Sequence, residues 1–167
     1  TTATALQKST ADFLRIGESL EQAAASAQTA TALLNVSEFE SIDEATDSLV
    51  SMSAAFKELG KGEIVDVVNQ LGNNFAISTD GLATALQNSA SALKTAQNDF
   101  FEAAALTTAA NTVTQDPDKV GAGLRTIALR LTGTEAAREE LAEMGEDVDD
   151  FIVTTTSKMD QKIKDLT

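Results

Sequence analysis

Gln115-Asp116-Pro117-Asp118-Lys119-Val120-Gly121-Ala122-Gly123-Leu124-Arg125-Thr126-Ile127-Ala128-Leu129-Arg130-Leu131 is the stretch that decides the fold class. Asp116 can accept from the orphan amides of a helix N-terminus, and Pro117 falls in the first turn, where its missing N–H costs nothing. A helix therefore begins at Pro117. Val120, Leu124, Ile127 and Leu131 recur every three or four residues, which predicts one apolar stripe facing a core, with Arg125 and Arg130 off that seam. Nothing in the stretch has the sustained period of two that a strand requires.

The same punctuation continues in both directions. Ser19 is followed three residues later by Gln22, and Ser41 by Glu44, so each pair can close a reciprocal capping box. Thr79 or Asp80, Asn98 and Thr134 are further candidate caps. Gly17, Gly60-Lys61-Gly62, Gly72, Gly133 and Gly145 are the expected stops. A helix is predicted from Ser41 to Leu59, carrying Leu49, Met52, Phe56 and Leu59 on one stripe, and another carries Leu82, Leu86 and Leu93. The Val-rich run Glu63–Val68 is the most strand-like, yet Ile64, Val65, Val68, Leu71 and Phe75 keep helical spacing. Short joins between helices of similar length predict an all-α chain, either an antiparallel multi-helix bundle or stacked helical hairpins. A loose echo between Ser19-Leu20-Glu21-Gln22-Ala23 and Ser41-Ile42-Asp43-Glu44-Ala45 favours the stack.

The chain has 167 residues, 43% of them hydrophobic, which suits one domain with a modest core. Aromatics are 4%, with no Trp or Tyr, so the core is built from Ala, Leu, Ile and Val with a few Phe anchors. Such cores favour close helix packing over deep ligand pockets. A formal net charge of −14 repels a phosphate backbone, so no direct nucleic-acid binding is expected. Glu139, Glu140, Glu143, Glu146, Asp147, Asp149 and Asp150 crowd together, and read as a solvated helix face before they read as a metal site or a dock for a basic partner. No stretch reaches the ~20 apolar residues needed to cross a bilayer. The chain opens at Thr1 without Met and reads as a section of a longer protein.

Histidine and cysteine are both absent, which removes the usual general bases, thiol nucleophiles and transition-metal ligands. Glu63 and Glu102 are the remaining candidates for a carboxylate acid–base pair, but helix N-terminal placement explains both more simply. Gly121-Ala122-Gly123 follows a helix start rather than a strand, so it is no phosphate loop, and small residues there suit close helix approach. Ser89-Ala90-Ser91-Ala92 and Ala103-Ala104-Ala105 suggest the same tight packing. No catalytic residue, cofactor site or metal ligand is assigned, and the chain is read as a non-enzyme.

Gly72-Asn73-Asn74-Phe75-Ala76-Ile77-Ser78, then Thr108-Ala109-Ala110-Asn111-Thr112-Val113-Thr114-Gln115-Asp116-Pro117, then Gly121 to Leu131, resemble in order and spacing the core region of the tail tape-measure proteins of long-tailed bacteriophages. The likeness runs from about Asp43 to Gly133. It divides the chain into leading helices (1–40), a tape-measure-like helical core (41–133) and an acidic C-terminal helical segment (134–167). Its marker positions are Gly72, Asn73, Asn74, Phe75, Asn111, Asp116, Pro117, Arg125 and Arg130. Gly72, Asn73 and Asn74 suit a helix exit, Phe75 and Ile77 a return to the core, and Asn111 a brace for the turn before Asp116. Arg125 and Arg130 are placed to pair with the surplus acid, to face a neighbouring copy, or simply to lie on the surface. The resemblance implies a structural part in the virion tail, assembled in the host cytoplasm. There such a protein lies in the tube lumen, sets tail length and leaves at genome ejection. Implied partners are further copies of the chain and other tail proteins, namely tube, tail tip and assembly chaperones. Because the chain contains so many stops, it reads as a folded module of a ruler, open to extension in the assembled tail; composition alone fits equally a bacterial helical-bundle interaction module, surface- or secretion-associated, and the ordered Asn-Asn, Asp-Pro and Leu-Arg landmarks favour the phage reading.

Overall fold

Ser19, Ser41, Gly60, Ser78, Asp99 and Asp116 each stand in extended backbone immediately before a helix, and five of them accept an amide through the side chain. The computed structural model describes residues 3–132. Within them the chain forms seven helices: α1 (Ala3–Arg15), α2 (Leu20–Asn35), α3 (Ile42–Ala55), α4 (Lys61–Asn74), α5 (Thr79–Thr95), α6 (Phe100–Thr114) and α7 (Pro117–Leu131). No strand occurs among the described residues. The expected cap at Thr134, the stops at Gly133 and Gly145 and the acidic run 139–150 lie outside them.

Contacts between helices follow one rule. Each helix packs on its successor and on the helix two along, and among the described residues on none further away. The odd-numbered helices thus form one layer and the even-numbered ones a second. Within the odd layer neighbours run parallel: Ser48 pairs with Gln87 and Glu58 with Lys94 between the α3 and α5 segments, while Gly81 meets Pro117 and Ala85 meets Gly121 between α5 and α7. This is a stack of helical hairpins, the second of the two expected arrangements. Bridging hydrogen bonds span 35, 37, 39 and 36 residues at Lys8–Asp43, Ser9–Thr46, Ser48–Gln87 and Lys94–Glu58, which sets the repeat. The even helices also repeat one bond at their starts, the third helical residue, Gln22, Glu63 or Glu102, accepting from the N-cap amide; in α2 and α6 the cap side chain answers it and the box is complete, while Gly60 of α4 has no side chain to do so. The echo between Ser19 and Ser41 pairs an even helix with an odd one, so it is shared capping chemistry rather than the repeat.

The core is made of small residues punctuated by large ones. Ala23, Ala27, Ala30, Ala45, Ala83, Ala103 and Ala104 are fully buried and let helix axes approach, while Phe13, Phe56, Phe100, Leu49, Leu82 and Leu86 fill the wider gaps. Ser91 and Ala105 of the two small-residue runs are exposed. Buried hydroxyls are satisfied at home: Ser89, Thr107 and Thr108 each donate to the carbonyl four residues back at 2.8 Å. Phe100 meets Phe56 edge-on, with centroids 5.4 Å apart. One clasp occurs twice: Lys61 Nζ lies over the Phe13 ring and pairs with Glu18, and Lys94 Nζ lies over Phe56 and pairs with Glu58.

Several expected boundaries move. The helix begun by Ser41 ends at Ala55 rather than Leu59, because Phe56 leaves helical geometry to enter the core and Leu59 N–H closes a turn on its carbonyl. Ser41 accepts from Glu44 N–H as a cap, but the expected reciprocal box does not form, because the Glu44 carboxylate accepts from Glu40 N–H instead of Ser41 N–H. Gly60 is a cap and Gly62 lies in the first turn of α4, so neither is a stop. Ser78 rather than Thr79 or Asp80 caps α5, and Asp99 rather than Asn98 caps α6. Asn98 instead donates to the Leu93 and Ala96 carbonyls that close α5. Gly17 ends α1 as expected, with φ +95°.

Candidate functional site

The marker positions are assembled from two adjacent hairpins. Gly72 is not an exit residue; it lies inside α4, with normal helical φ. A methyl there would stand 2.4 Å from Thr79 Oγ1 and 2.8 Å from Thr79 N, so the glycine lets the start of α5 lie directly against α4. Asn73 and Asn74 are helical too, and donate to the Asn69 and Gln70 carbonyls. Phe75 does not return to the core. The Ile77 N–H reaches the Phe75 carbonyl at 2.9 Å, a three-residue turn that breaks the alternation of an extended chain. Ile77 is sent inward, and Phe75 is left 56% exposed.

Asn111 reaches this turn from α6. Its amide donates to the Ala76 carbonyl at 2.9 Å, across 35 residues, while its main-chain oxygen accepts from Gln115. Gln115 takes left-handed geometry, φ 53°, and reverses the chain into Asp116 and Pro117. Asp116 caps α7 through Lys119 N–H, and Pro117 packs where a side chain on Gly81 would be. Gly121 then sits over the backbone of α5, its would-be methyl 2.7 Å from the Ala85 oxygen. Gly72, Asn111, Pro117 and Gly121 therefore converge on one joint where α4, α5, α6 and α7 meet. Ser78, Thr79, Gly81 and Ala85 complete it; the sequence marks Ser78 only as the end of a resembling stretch and Thr79 only as a candidate cap, and it gives Gly81 and Ala85 no part, because small residues carry no pattern of their own. Arg125 and Arg130 lie further along α7, on exposed positions outside the joint.

The close approach at Gly121 also turns α7. Val120, Gly121 and Ala128 are its buried residues, Leu124 and Leu131 are half-buried, and Ile127 is 52% exposed rather than in the stripe. Gly123 meets nothing within 4 Å, so only the first glycine of the pair makes a contact.

The charged groups act as braces. Glu63 accepts from Gly60 N–H and Glu102 from Asp99 N–H, both at 2.9 Å, so the two carboxylates weighed as an acid–base pair each close a helix. The hydrogen bond from Lys119, with its backbone N–H, holds the Asp116 carboxyl below its ordinary range, and the same bond raises Lys119. Lys94 lowers Glu58 likewise. A shallow groove of about 410 Å³ is lined by Glu38, Glu40, Glu44, Asp47 and Asp80 beside Phe39. Among the described residues no acidic cluster has metal-site geometry, and no helix is long and apolar enough to cross a membrane.

What this joint offers is close backbone contact between adjacent hairpins. A family model described as phage-related minor tail protein matches residues 1–167. The chain belongs to the phage-related minor tail protein family. Membership gives it a structural part in a phage tail, in association with other tail proteins, and agrees with an all-α stack whose marker residues serve packing and turns. No solved structure matches the chain.

Proposed function

We propose that this minor tail protein is a folded section of a tail tape-measure protein, which helps to set tail length and occupies the tube lumen until the genome is ejected. The observation that carries the reading is the family match along 1–167, within which the ordered markers from Gly72 to Leu131 resemble tape-measure proteins. A ruler needs length that scales with its chain, and a stack in which each helix contacts only near neighbours lengthens by a fixed step per hairpin. Drawn out as continuous helix, the same chain would advance about 1.5 Å per residue. A net charge of −14 keeps such a module from adhering to DNA that shares its channel. Its partners are then further copies and the tube, tip and chaperone proteins of the tail, met first in the host cytoplasm. No catalytic step belongs to this reading.

Mass spectrometry of purified tails before and after triggered ejection tests it. Peptides from residues 3–132 are expected in genome-filled virions and lost from emptied tails. Absence from filled virions, or retention at full amount in emptied ones, rejects lumen occupancy.

A further inference from the structure

The odd helices meet through one joint, and its positions can be matched from the caps. Ser48 stands seven residues after the cap Ser41, Ala85 seven after Ser78, and Gly123 seven after Asp116. Ser9 is the same position in α1: it meets Thr46 as Ala85 meets the Gly121 backbone, and Thr46 and Gly121 each stand five residues after a cap. Ser9, Ser48 and Ala85 are fully buried, and each receives the next odd helix, at Thr46, Gln87 and Gly121 respectively. Four residues further on, Phe13, Met52 and Ser89 are buried too. In α7, the last odd helix described, both positions are open. Gly123 meets nothing within 4 Å among the described residues, and Ile127 is 52% exposed.

α1 has the opposite gap. Three residues before the matched position, Ala45, Leu82 and Val120 are at most 4% exposed, whereas Leu6 of α1 is 36% exposed. Two residues before it, Thr46, Ala83 and Gly121 are buried and Gln7 is exposed. Five residues after it, Ala90 and Ala128 are buried and Ser53 half-buried, whereas Leu14 is 39% exposed.

We infer that α1 of a second copy of this chain docks on α7 through this same joint, so that copies stack head to tail. The faces select the occupant. The joint is used three times inside the molecule, and its two halves are both open, the receiving half on α7 and the entering half on α1. Gln7 of the incoming copy takes the place against Gly123 that Thr46 holds against Ser9 and Gly121 against Ala85. Leu6, Leu14 and Ile127 leave water together. Because neighbouring odd helices run parallel, the contact joins two different faces and adds copies in one direction. This stacking rests on the proposed function only in taking further copies as partners, and it holds or fails in solution, without a tail.

Sedimentation of the full chain over a range of concentrations tests it, and the average mass of the parent should rise with concentration. Leu6→Asp blocks the face of α1 and Ile127→Asp that of α7, so each alone should weaken association by about tenfold or more, the effect of burying a charge in an apolar joint. Mixed in equal amounts, the two variants should form a one-to-one dimer and nothing larger, since each keeps the face that the other lacks. Their urea midpoints should match the parent's, because both positions are exposed in the single chain. The sequence has no cysteine, so Gln7→Cys with Gly123→Cys in one chain should give a ladder of disulfide-linked copies on oxidation. A monomeric parent, variants that associate as the parent does, or a mixture no more associated than its parts overturns the inference. A lowered urea midpoint for monomeric Ile127→Asp also overturns it, since the α7 face would then be covered within one chain. None of these readouts depends on tail length, which tests the ruler separately.

Discussion

Replacing Gly121 with alanine adds one methyl where α7 lies closest to α5. The new carbon would stand 2.7 Å from the Ala85 oxygen and 3.1 Å from the Ala85 Cα, both main-chain atoms of a packed helix that cannot step aside. Overpacking of this kind costs about 1–3 kcal/mol. Alanine also returns about 1 kcal/mol of helix propensity relative to glycine. Gly123→Ala makes the same exchange two residues on, where nothing lies within 4 Å, so it keeps the gain without the clash. The propensity gain is common to both, and the difference between the variants isolates the contact: Gly121→Ala should be the less stable by about 1–3 kcal/mol. In a chain of this size that is roughly 2–4 °C in Tm for each kcal/mol. Urea and thermal unfolding of both variants and the parent, followed by far-UV circular dichroism, measure it. Equal stability of the two variants, or Gly121→Ala the more stable, would refute the close packing of α7 on α5.

Other consequences are open to similar checks. Asn111→Leu removes the amide that reaches Ala76 and leaves that carbonyl without its partner, which should cost about 1–3 kcal/mol in urea unfolding, against near-neutrality if the joint were wet. Ile127→Asp should change stability by no more than about 0.5 kcal/mol, whereas the interior stripe read from sequence would make it severe. Asp116 should titrate below free aspartate by NMR, and Lys119→Met should move its midpoint up. Because that folded-state value is depressed, its contribution is complete above the unfolded pKa and fades as pH falls through the folded one. Asp116→Asn should abolish this acid-side dependence while keeping the cap.

Helix class, most starts and the stripes of α3 and α5 were legible because capping and 3.6-residue spacing are local chemistry. Asp116 with Pro117 and Ser19 with Gln22 are read correctly for that reason. The joint was only half legible. Gly72 and Gly121 look like a stop and a spacer along the chain, yet what holds each is the backbone of another helix, Thr79 in one case and Ala85 in the other. Phe75 and Ile127 are apolar and in register with their helices, but a three-residue turn exposes the first and the rotation of α7 exposes the second. The repeat was hidden for a related reason. Its bonds join residues 35 to 39 apart through different pairs, Ser with Thr, Ser with Gln and Lys with Asp or Glu, so geometry recurs where sequence does not.

The proposal that the chain is part of a ruler is tested most directly by tail length. Removing residues 79–116 deletes one hairpin of the stack and brings Ser78, itself a helix cap, in front of Pro117. In a phage whose tail gene carries that deletion, electron microscopy should show uniformly shorter tails, by up to about 57 Å if the lost residues count as helix at 1.5 Å each. Tails of unchanged length would contradict the account.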